Sequence, residues 1–120
     1  MNVLVCEDEE IMLTALEFRL RKQCYNVTIA EDGRKALAIL ETQMPDIIVA
    51  DIMMPHVTGL ELVQHIRETM NSSVPIIMIS ALELDEVILE AFRLGANDFI
   101  TKPFKPSELV LRIRRLTAKL

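Results

Sequence analysis

The chain has 120 residues, 51% of them apolar, and a formal net charge of −5. A chain of this size forms one domain, with a core large enough to need no disulfide or metal for stability. Residues 1–101 carry 7 basic and 17 acidic side chains, so most of the surface repels phosphates and disfavours direct binding to nucleic acid. No apolar run approaches the roughly 18 residues of a membrane helix, and no signal-peptide pattern precedes the first strand. We therefore expect a soluble, cytoplasmic protein that binds no membrane.

Five short apolar runs alternate with five stretches of helical periodicity along the chain. The predicted strands lie near residues 2–6, 26–30, 46–50, 75–79 and 97–100. The predicted helices lie near residues 9–23, 33–42, 58–70, 84–94 and 106–119. Strands that alternate with helices through short connections form a parallel sheet with right-handed crossovers. Residues 1–120 are therefore interpreted as a single α/β domain.

Four of the five apolar runs lead directly into polar residues. Glu7-Asp8 follow the first run, Asp51 closes the third, Ser80 closes the fourth, and Lys102 follows the fifth. Functional residues of open α/β sheets lie beyond the carboxyl ends of the strands. If these strands are parallel neighbours, the acids, the hydroxyl and the ammonium converge on Asp51.

These residues resemble, in their order and spacing, the receiver domain of two-component response regulators. Asp51 lies 43 residues after Asp8, Ser80 lies 29 after Asp51, and Lys102 lies 22 after Ser80. The resemblance extends from Asn2 to about Leu116 and includes five motifs: Glu7-Asp8, Asp51 with Pro55 and Gly59, Ser80-Ala81, Gly95-Ala96 with Phe99, and Lys102-Pro103-Phe104. Each motif is weak alone, whereas five in order are specific. The resemblance implies a flavodoxin-like (βα)5 doubly wound sheet with strand order 2-1-3-4-5.

The acidic residues predict a metal site. Carboxylates gathered in one pocket repel one another unless a cation is present, and a ligand set made only of oxygen suits Mg²⁺ (or Mn²⁺). We expect Asp8 and Asp51 to bind the metal directly and Glu7 to bind it through a water molecule. The resemblance adds the backbone carbonyl of Met53 to this set. The simpler interpretation of Glu7-Asp8 is a solvated start of the first helix.

The resemblance implies that Asp51 attacks the phosphorus of a phosphohistidine, on a sensor histidine kinase or a phosphotransfer protein, and becomes an aspartyl phosphate. Lys102 is implied to pair with Asp51 at rest and with a phosphate oxygen after transfer, next to a cis bond to Pro103. Ser80 is implied to donate to the phosphoryl group, and Phe99 to rotate into the space that Ser80 leaves. A domain that catalyses only its own phosphorylation and dephosphorylation is not classed as an enzyme.

A partner surface is predicted on the fourth helix, the fifth strand and the fifth helix. Leu89 and Phe92 are expected to point outward beside Val110, and exposed apolar side chains gathered in this way usually mark an interface. Receivers that resemble this chain and act on winged-helix DNA-binding domains dimerise through this face, and Asp98 with Arg112 matches one of their salt bridges. Two other pairs are lost, because Ile88 stands opposite Glu108 and Arg93 stands opposite Arg114. We therefore expect a weak, phosphorylation-dependent homodimer.

Two other function classes stay open at this point. A phosphatase or phosphomutase with a strand-end aspartate nucleophile carries a second aspartate two residues later, where this chain has Met53. A pseudo-receiver would take no phosphate, but it would have no use for a cluster of like charges. The output is also open between a standalone regulator and a longer protein with a DNA-binding effector.

Three further residues receive ordinary interpretations. His56 follows the Asp51 segment without a second metal ligand at useful spacing, so it is predicted to be an exposed loop histidine. Cys6 and Cys24 have no metal spacing and no C-x-x-C arrangement, and we expect two reduced, mostly buried thiols. Cys24 stands where the family usually has glycine, so it is predicted either to adopt a positive φ or to alter the turn.

Overall fold

The computed structural model describes residues 1–118. They form a five-stranded parallel sheet in the order β2-β1-β3-β4-β5. The strands are β1 (Asn2–Cys6), β2 (Asn26–Ala30), β3 (Ile47–Asp51), β4 (Ile76–Ser80) and β5 (Asp98–Thr101). The helices are α1 (Glu10–Lys22), α2 (Gly33–Thr42), α3 (Gly59–Gln64), α4 (Asp85–Leu94) and α5 (Pro106–Thr117). The predicted fold and strand order are confirmed, and Lys119 of the predicted last helix lies outside the described residues.

The strands β3 and β4 begin and end one residue later than predicted. Asp51 pairs with Ile79, and Ser80 pairs with Thr101, so both polar residues belong to the sheet itself. The predicted third helix is divided: α3 ends at Gln64 and a π-helical turn continues over His65–Thr69. In that turn the N–H of Met70 donates to the carbonyl of His65 at 3.0 Å. Polar residues at strand ends and local changes of helical pitch leave no signal in apolar periodicity.

The core lies on both faces of the sheet, because successive residues of a strand point to opposite sides. Leu4 and Cys6 pack with buried residues of α2, α3 and α4, while Val3 and Val5 pack with buried residues of α1 and α5. Helices cover both faces of β3 and β4, so all the residues of these two strands are buried. Such strands carry nearly continuous apolar runs. No helix among residues 1–118 is both long and apolar enough to cross a membrane.

The two cysteines lie in different environments. Cys6 is fully buried, and burial raises the pKa of its thiol to about 12. Cys24 is exposed, so the prediction of two buried thiols is wrong for this residue. It follows the C-terminus of α1, in the turn that leads into β2, beyond Leu20, the last buried residue of that helix. Its φ of 65° is in the left-handed region, which confirms the first of the two alternatives predicted for this position.

Candidate functional site

The carboxyl ends of four strands bring the predicted polar residues to one edge of the sheet. Glu7 follows β1, Asp51 ends β3, Ser80 ends β4, and Lys102 follows β5. The strands are parallel and in register, with Asp51 beside Ile79 and Ser80 beside Thr101. This edge of the sheet, called here the acceptor edge, therefore holds two carboxylates, a hydroxyl and an ammonium.

Lys102 joins the two buried carboxylates of the acceptor edge. Its Nζ donates to Glu7 Oε1 and to Asp51 Oδ2, each at 2.5 Å. The side chain of Lys102 is 14% exposed, that of Asp51 is 5% exposed, and that of Glu7 is fully buried. Its backbone N–H donates to the carbonyl of Ser80 at 2.8 Å, and the Lys102–Pro103 bond is cis, as the resemblance implied. The pairing with Asp51 is confirmed, and the equally short bond to Glu7 is an addition.

The charges of this triad perturb one another. Burial raises the pKa of Glu7 to about 7, because the opposing effect of the Lys102 hydrogen bond is smaller and the nearby Asp51 carboxylate adds to the rise. Burial by itself would lower the pKa of Lys102. Its hydrogen bonds to Asp51 and Glu7 outweigh burial and raise the pKa, so Lys102 stays protonated at neutral pH. At neutral pH the acceptor edge therefore holds a protonated Lys102 beside Glu7, whose carboxyl group gains or loses a proton near pH 7.

Asp51 is held by backbone groups as well. Its Oδ1 accepts from the N–H of Met53 at 2.8 Å. Gly59, the first residue of α3, donates its N–H to the carbonyl of Ile52 at 2.9 Å, and a Cβ at position 59 would collide with the carbonyl oxygen of Asp51. Glycine thus allows α3 to begin directly against the end of β3. A capping box between Thr58 and Glu61 fixes that start.

The predicted metal ligands are only partly gathered. Asp8 is exposed, and within residues 1–118 its side chain makes no hydrogen bond or ion pair. No three metal-binding side chains of the described residues are close enough to hold an ion in this arrangement. Lys102 lies between Glu7 and Asp51, and Asp8 faces solvent. The chemistry still fits Mg²⁺, because the donors are carboxylate and carbonyl oxygens at a negatively charged edge and the exposed Asp8 can turn.

The predicted switch residues lie next to the acceptor. Ser80 is fully buried, and its Oγ accepts from the N–H of Leu82 at 2.9 Å, which holds the turn between β4 and α4. Phe99 lies on β5, opposite Met78 of β4, and is half-buried against the core on the α4 side. His56 is exposed as predicted, and its Nε2 accepts from Arg34 Nη2 at 2.8 Å. Among the hydrogen bonds and ion pairs of residues 1–118, none joins His56 to Glu7, Asp8 or Asp51.

Of the three apolar residues predicted to lie on the partner surface, two are exposed and the third is buried. Leu89 is 68% exposed and Phe92 is 45% exposed on the outer face of α4. Val110 is only 5% exposed, because it shares with Ile113 the face of α5 that packs on the sheet. Leu111, one residue further, is 64% exposed and takes the outward position.

The charged rim of that surface is paired within the chain. Asp98 accepts from Arg112 Nη1 at 2.8 Å and from Arg115 Nη2 at 3.1 Å. Arg93, which was expected to face another arginine, instead pairs with Glu90 of its own helix. The Asp98–Arg112 pair therefore exists in a single protomer.

Two features of the structure were absent from the sequence prediction. An exposed apolar surface on α1 includes Ile11 and Phe18, which are 83% and 63% exposed. Their spacing of seven residues is a helical signal that could have been found. Arg67 makes four hydrogen bonds to neutral oxygens, and no sequence pattern distinguishes such an arginine from a surface one.

Residues 3–114 match the family model described as the response regulator receiver domain. The chain belongs to the response regulator receiver domain family. This receiver domain is 39% identical over 117 residues to the alkaline phosphatase synthesis transcriptional regulatory protein PhoP of Bacillus subtilis. That match covers 96% of the chain and 48% of PhoP, so the receiver domain spans about half the length of the curated relatives it matches.

Solved structures agree with this family. The Francisella response regulator 1452 receiver domain is 33% identical with a TM-score of 0.92, over 98% of this chain and 97% of that one. The receiver domain of a Pseudomonas aeruginosa sensor histidine kinase is 32% identical with a TM-score of 0.87, over 98% of both chains. The latter is described with a magnesium ion coordinated in its active site cleft. Receiver domains are phosphorylated on aspartate, and this one is a signalling module of a two-component system.

Proposed function

We propose that this receiver domain is a switch in which Asp51 accepts a phosphoryl group from a histidine kinase or a phosphotransfer protein. The observation that carries the proposal is the position of Lys102 Nζ, 2.5 Å from Asp51 Oδ2 at the acceptor edge. An ammonium in this place pairs with the Asp51 carboxylate at rest and can transfer one hydrogen bond to an incoming phosphoryl oxygen. The domain catalyses its own phosphorylation and dephosphorylation and turns over no outside substrate.

The transfer is a displacement at phosphorus. A carboxylate oxygen of Asp51 forms the new bond while the bond from phosphorus to the donor's imidazole nitrogen breaks, and that nitrogen keeps the electron pair. Lys102 then donates to a phosphoryl oxygen in place of Asp51 Oδ2. The N–H of Met53, which already donates to Asp51 Oδ1, holds the acceptor carboxylate in place during the attack.

We propose that phosphorylation depends on Mg²⁺ (or Mn²⁺), held by Asp8, Asp51 and the carbonyl of Met53, with Glu7 binding through water. The cation would neutralise charge between the acidic edge and the phosphoryl group. The oxygen-only donor set supports this assignment, as does the magnesium described for the Pseudomonas aeruginosa relative. In the absence of added metal we expect no aspartyl phosphate, because the acidic edge then repels an anionic donor.

The signal is proposed to leave through α4, β5 and α5. Ser80 Oγ accepts from the N–H of Leu82 in the present state. When Ser80 donates to a phosphoryl oxygen, its Oγ moves inward and the N–H of Leu82 loses its partner. Phe99 then takes up the space beside Ser80. These changes act on the start of α4 and on the exposed residues Leu89 and Phe92.

Three partners are proposed. A protein donor of phosphate fits the exposed apolar surface of α1, because Ile11 and Met12 lie with Phe104 in one groove beside the acceptor edge. A DNA-binding effector is proposed for the full-length protein, since the relatives are named transcriptional regulators and are about twice as long. A weak homodimer is proposed through Leu89 and Phe92.

We place the domain in the cytoplasm, where the exposed thiol of Cys24 stays reduced.

The test of the acceptor uses acetyl phosphate with Mg²⁺ and an intact-mass measurement. Asp51→Asn keeps the shape of the side chain and removes the nucleophilic charge, so the phosphoryl adduct should disappear while circular dichroism shows a folded domain. Asp46→Asn is the matched control. Asp46 lies just before the amino end of β3, whereas Asp51 is at the carboxyl end, and it accepts from the N–H of Asn2 at 2.7 Å. A full adduct on Asp51→Asn, or its loss from Asp46→Asn alone, would contradict the assignment.

The homodimer is tested by sedimentation velocity with and without beryllofluoride, a phosphoryl mimic. We expect a monomer without the mimic and partial, concentration-dependent association with it, which Phe92→Asp removes. The association should be weak, because Asp98 and Arg112 already pair within each protomer. A tight dimer of the unmodified domain that tolerates Phe92→Asp would exclude this surface as the output.

A further inference from the structure

Helix α4 is attached to the domain mainly at its C-terminal end. Ala91 is the only buried residue among its ten, with Val87 and Leu94 partly buried against the core, whereas α5 has three buried residues. Its N-terminal end begins at Leu84, which is 58% exposed and makes no side-chain capping bond. Asp85 and Glu86, the next two residues, are also exposed. The end of α4 that follows Ser80 in the chain is therefore the less restrained one.

Arg67 holds the opposite end of α4 from a different part of the chain. It lies in the π-helical turn after α3, and its Nε and Nη2 donate to the carbonyl of Gly95 at 3.1 and 2.9 Å. Gly95 is the C-cap of α4, with φ of 117°, and a Cβ there would lie 2.9 Å from Arg67 Cγ. A guanidinium at this place also compensates the negative end of the helix dipole. Gly95 thus provides both the left-handed turn and the room for Arg67.

Arg67 also connects α4 to the first residue of β4. Its Nη1 donates to the carbonyl of Ser72 at 2.8 Å, and its Nη2 donates to Asn97 Oδ1 at 2.9 Å. Asn97 Oδ1 also accepts from the N–H of Ile76, the first residue of β4, at 2.9 Å. The N–H of Asn97 donates to the carbonyl of Ile76 at 2.8 Å. Arg67 and Asn97 therefore tie the end of α4 to a strand that is fully buried.

The acceptors of Arg67 are all neutral oxygens. Within residues 1–118 no carboxylate lies within salt-bridge distance of its guanidinium, and burial lowers its pKa. Bonds from an ionised donor are about twice as strong as neutral ones, and the planar fork of arginine can reach three acceptors at once. Two of these bonds restrain the helix end at Gly95, and the other two hold Arg67 to Ser72 and Asn97.

We propose that Arg67 is a positioning residue that makes the C-terminal end of α4 a pivot, so that the signal from Ser80 moves the N-terminal half of the helix. The proposal rests on the proposed function for the origin of the signal. Release of the Leu82 N–H loosens the chain immediately before α4, while the bonds of Arg67 to Gly95 are remote from that event. The exposed Leu89 and Phe92 are then carried by rotation about a fixed end.

Hydrogen exchange followed by mass spectrometry tests the pivot in the full chain. The probes are the N–H groups of Gly95 and Ala96, which close the helix by donating to Phe92 and Ala91. Arg67→Gln should accelerate exchange over residues 91–97 at least tenfold, since the loss of even one hydrogen bond to a charged donor amounts to a tenfold change or more. Arg93→Gln, which removes an exposed arginine of α4 itself, is the matched control and should leave exchange there unchanged. Equal exchange in the two variants would overturn the proposal.

Beryllofluoride with Mg²⁺ then separates a pivot from a merely structural contact. In the unsubstituted domain the mimic should change exchange over residues 82–90 and leave 91–97 unchanged, and in Arg67→Gln the change should spread into 91–97. A response around Asp51 combined with a uniform change along α4 would overturn the pivot alone. No response around Asp51 would overturn the proposed function, and the pivot with it.

A second variant strengthens the contact between Arg67 and Asn97, and it tests the pivot without removing Arg67. Asn97→Asp gives Arg67 a carboxylate partner and should slow exchange over residues 91–97. A pivot stays closed in both states, so the affinity for beryllofluoride should stay within twofold of the unsubstituted domain. A tenfold loss of that affinity would show that the contact must open on activation, which would refute the pivot.

Discussion

Replacing Glu7 by glutamine should change how the stability of the domain depends on pH. Glu7 is fully buried, and burial beside Asp51 raises its pKa from 4.5 to about 7. Between these pH values the folded state holds a proton that the unfolded state has released. The free energy of unfolding therefore falls as the pH rises through this range, and the loss is complete above about pH 7.

The magnitude follows from the two pKa values. A rise from 4.5 to about 7 corresponds to about 3 kcal/mol, since each tenfold step in affinity for the proton is 1.36 kcal/mol. Glutamine keeps the shape of the side chain and can still accept from Lys102, but it does not titrate. The free energy of unfolding of Glu7→Gln minus that of the unsubstituted domain should therefore grow by about 3 kcal/mol across this range. Lys102 adds nothing to the difference, because its raised pKa lies far above the range.

Urea denaturation in metal-free buffer at constant ionic strength measures this difference at each pH. Glu9→Gln is the matched control, because Glu9 Oε2 lies 3.5 Å from Lys102 Nζ while its side chain is 58% exposed. An exposed pair of this kind contributes less than about 1 kcal/mol, so its removal should leave the pH dependence nearly unchanged. The reasoning is refuted if the Glu7→Gln difference is constant with pH, or if it shrinks as the pH rises.

Three further predictions concern single side chains. By the family resemblance, Met53, which is 60% exposed, and Leu82 flank the approach of water to the acceptor. Neither apolar side chain can orient a water molecule, so the aspartyl phosphate should decay slowly, and Met53→Asn or Leu82→Glu should change its half-life several-fold; equal half-lives would contradict this. Cys24→Gly should raise the free energy of unfolding by about 0.5 kcal/mol, because relief of the φ of 65° exceeds the entropy lost by glycine. Asp8→Asn should raise the metal-free melting temperature slightly and weaken Mg²⁺ binding, and a lower melting temperature would refute the repulsion between carboxylates.

The order of apolar and polar residues predicted the α/β class and most of the acceptor edge, while the strand order was predicted from the family resemblance. Continuous apolar runs such as Ile47–Ala50 fit strands buried on both faces, and their alternation with amphipathic helices requires a parallel sheet. Once the strands are parallel, Asp51 and Ser80 at their ends must lie at one edge. Periodicity also identified the outward positions of Leu89 and Phe92 on α4.

Only the tertiary structure decided which polar side chains meet. Lys102 bonds to Glu7 across 95 positions of sequence, and Arg67 bonds to Gly95 across 28. It also decided that Val110 is buried and that Asp98 pairs within its own chain. The hydrophobic effect is not directional, so a periodic pattern of apolar residues can indicate which face of an element is buried but not which polar groups come into contact. A long cationic side chain reaches whichever oxygen its neighbours leave without a partner, so its contacts depend on the packing of segments that are distant in sequence.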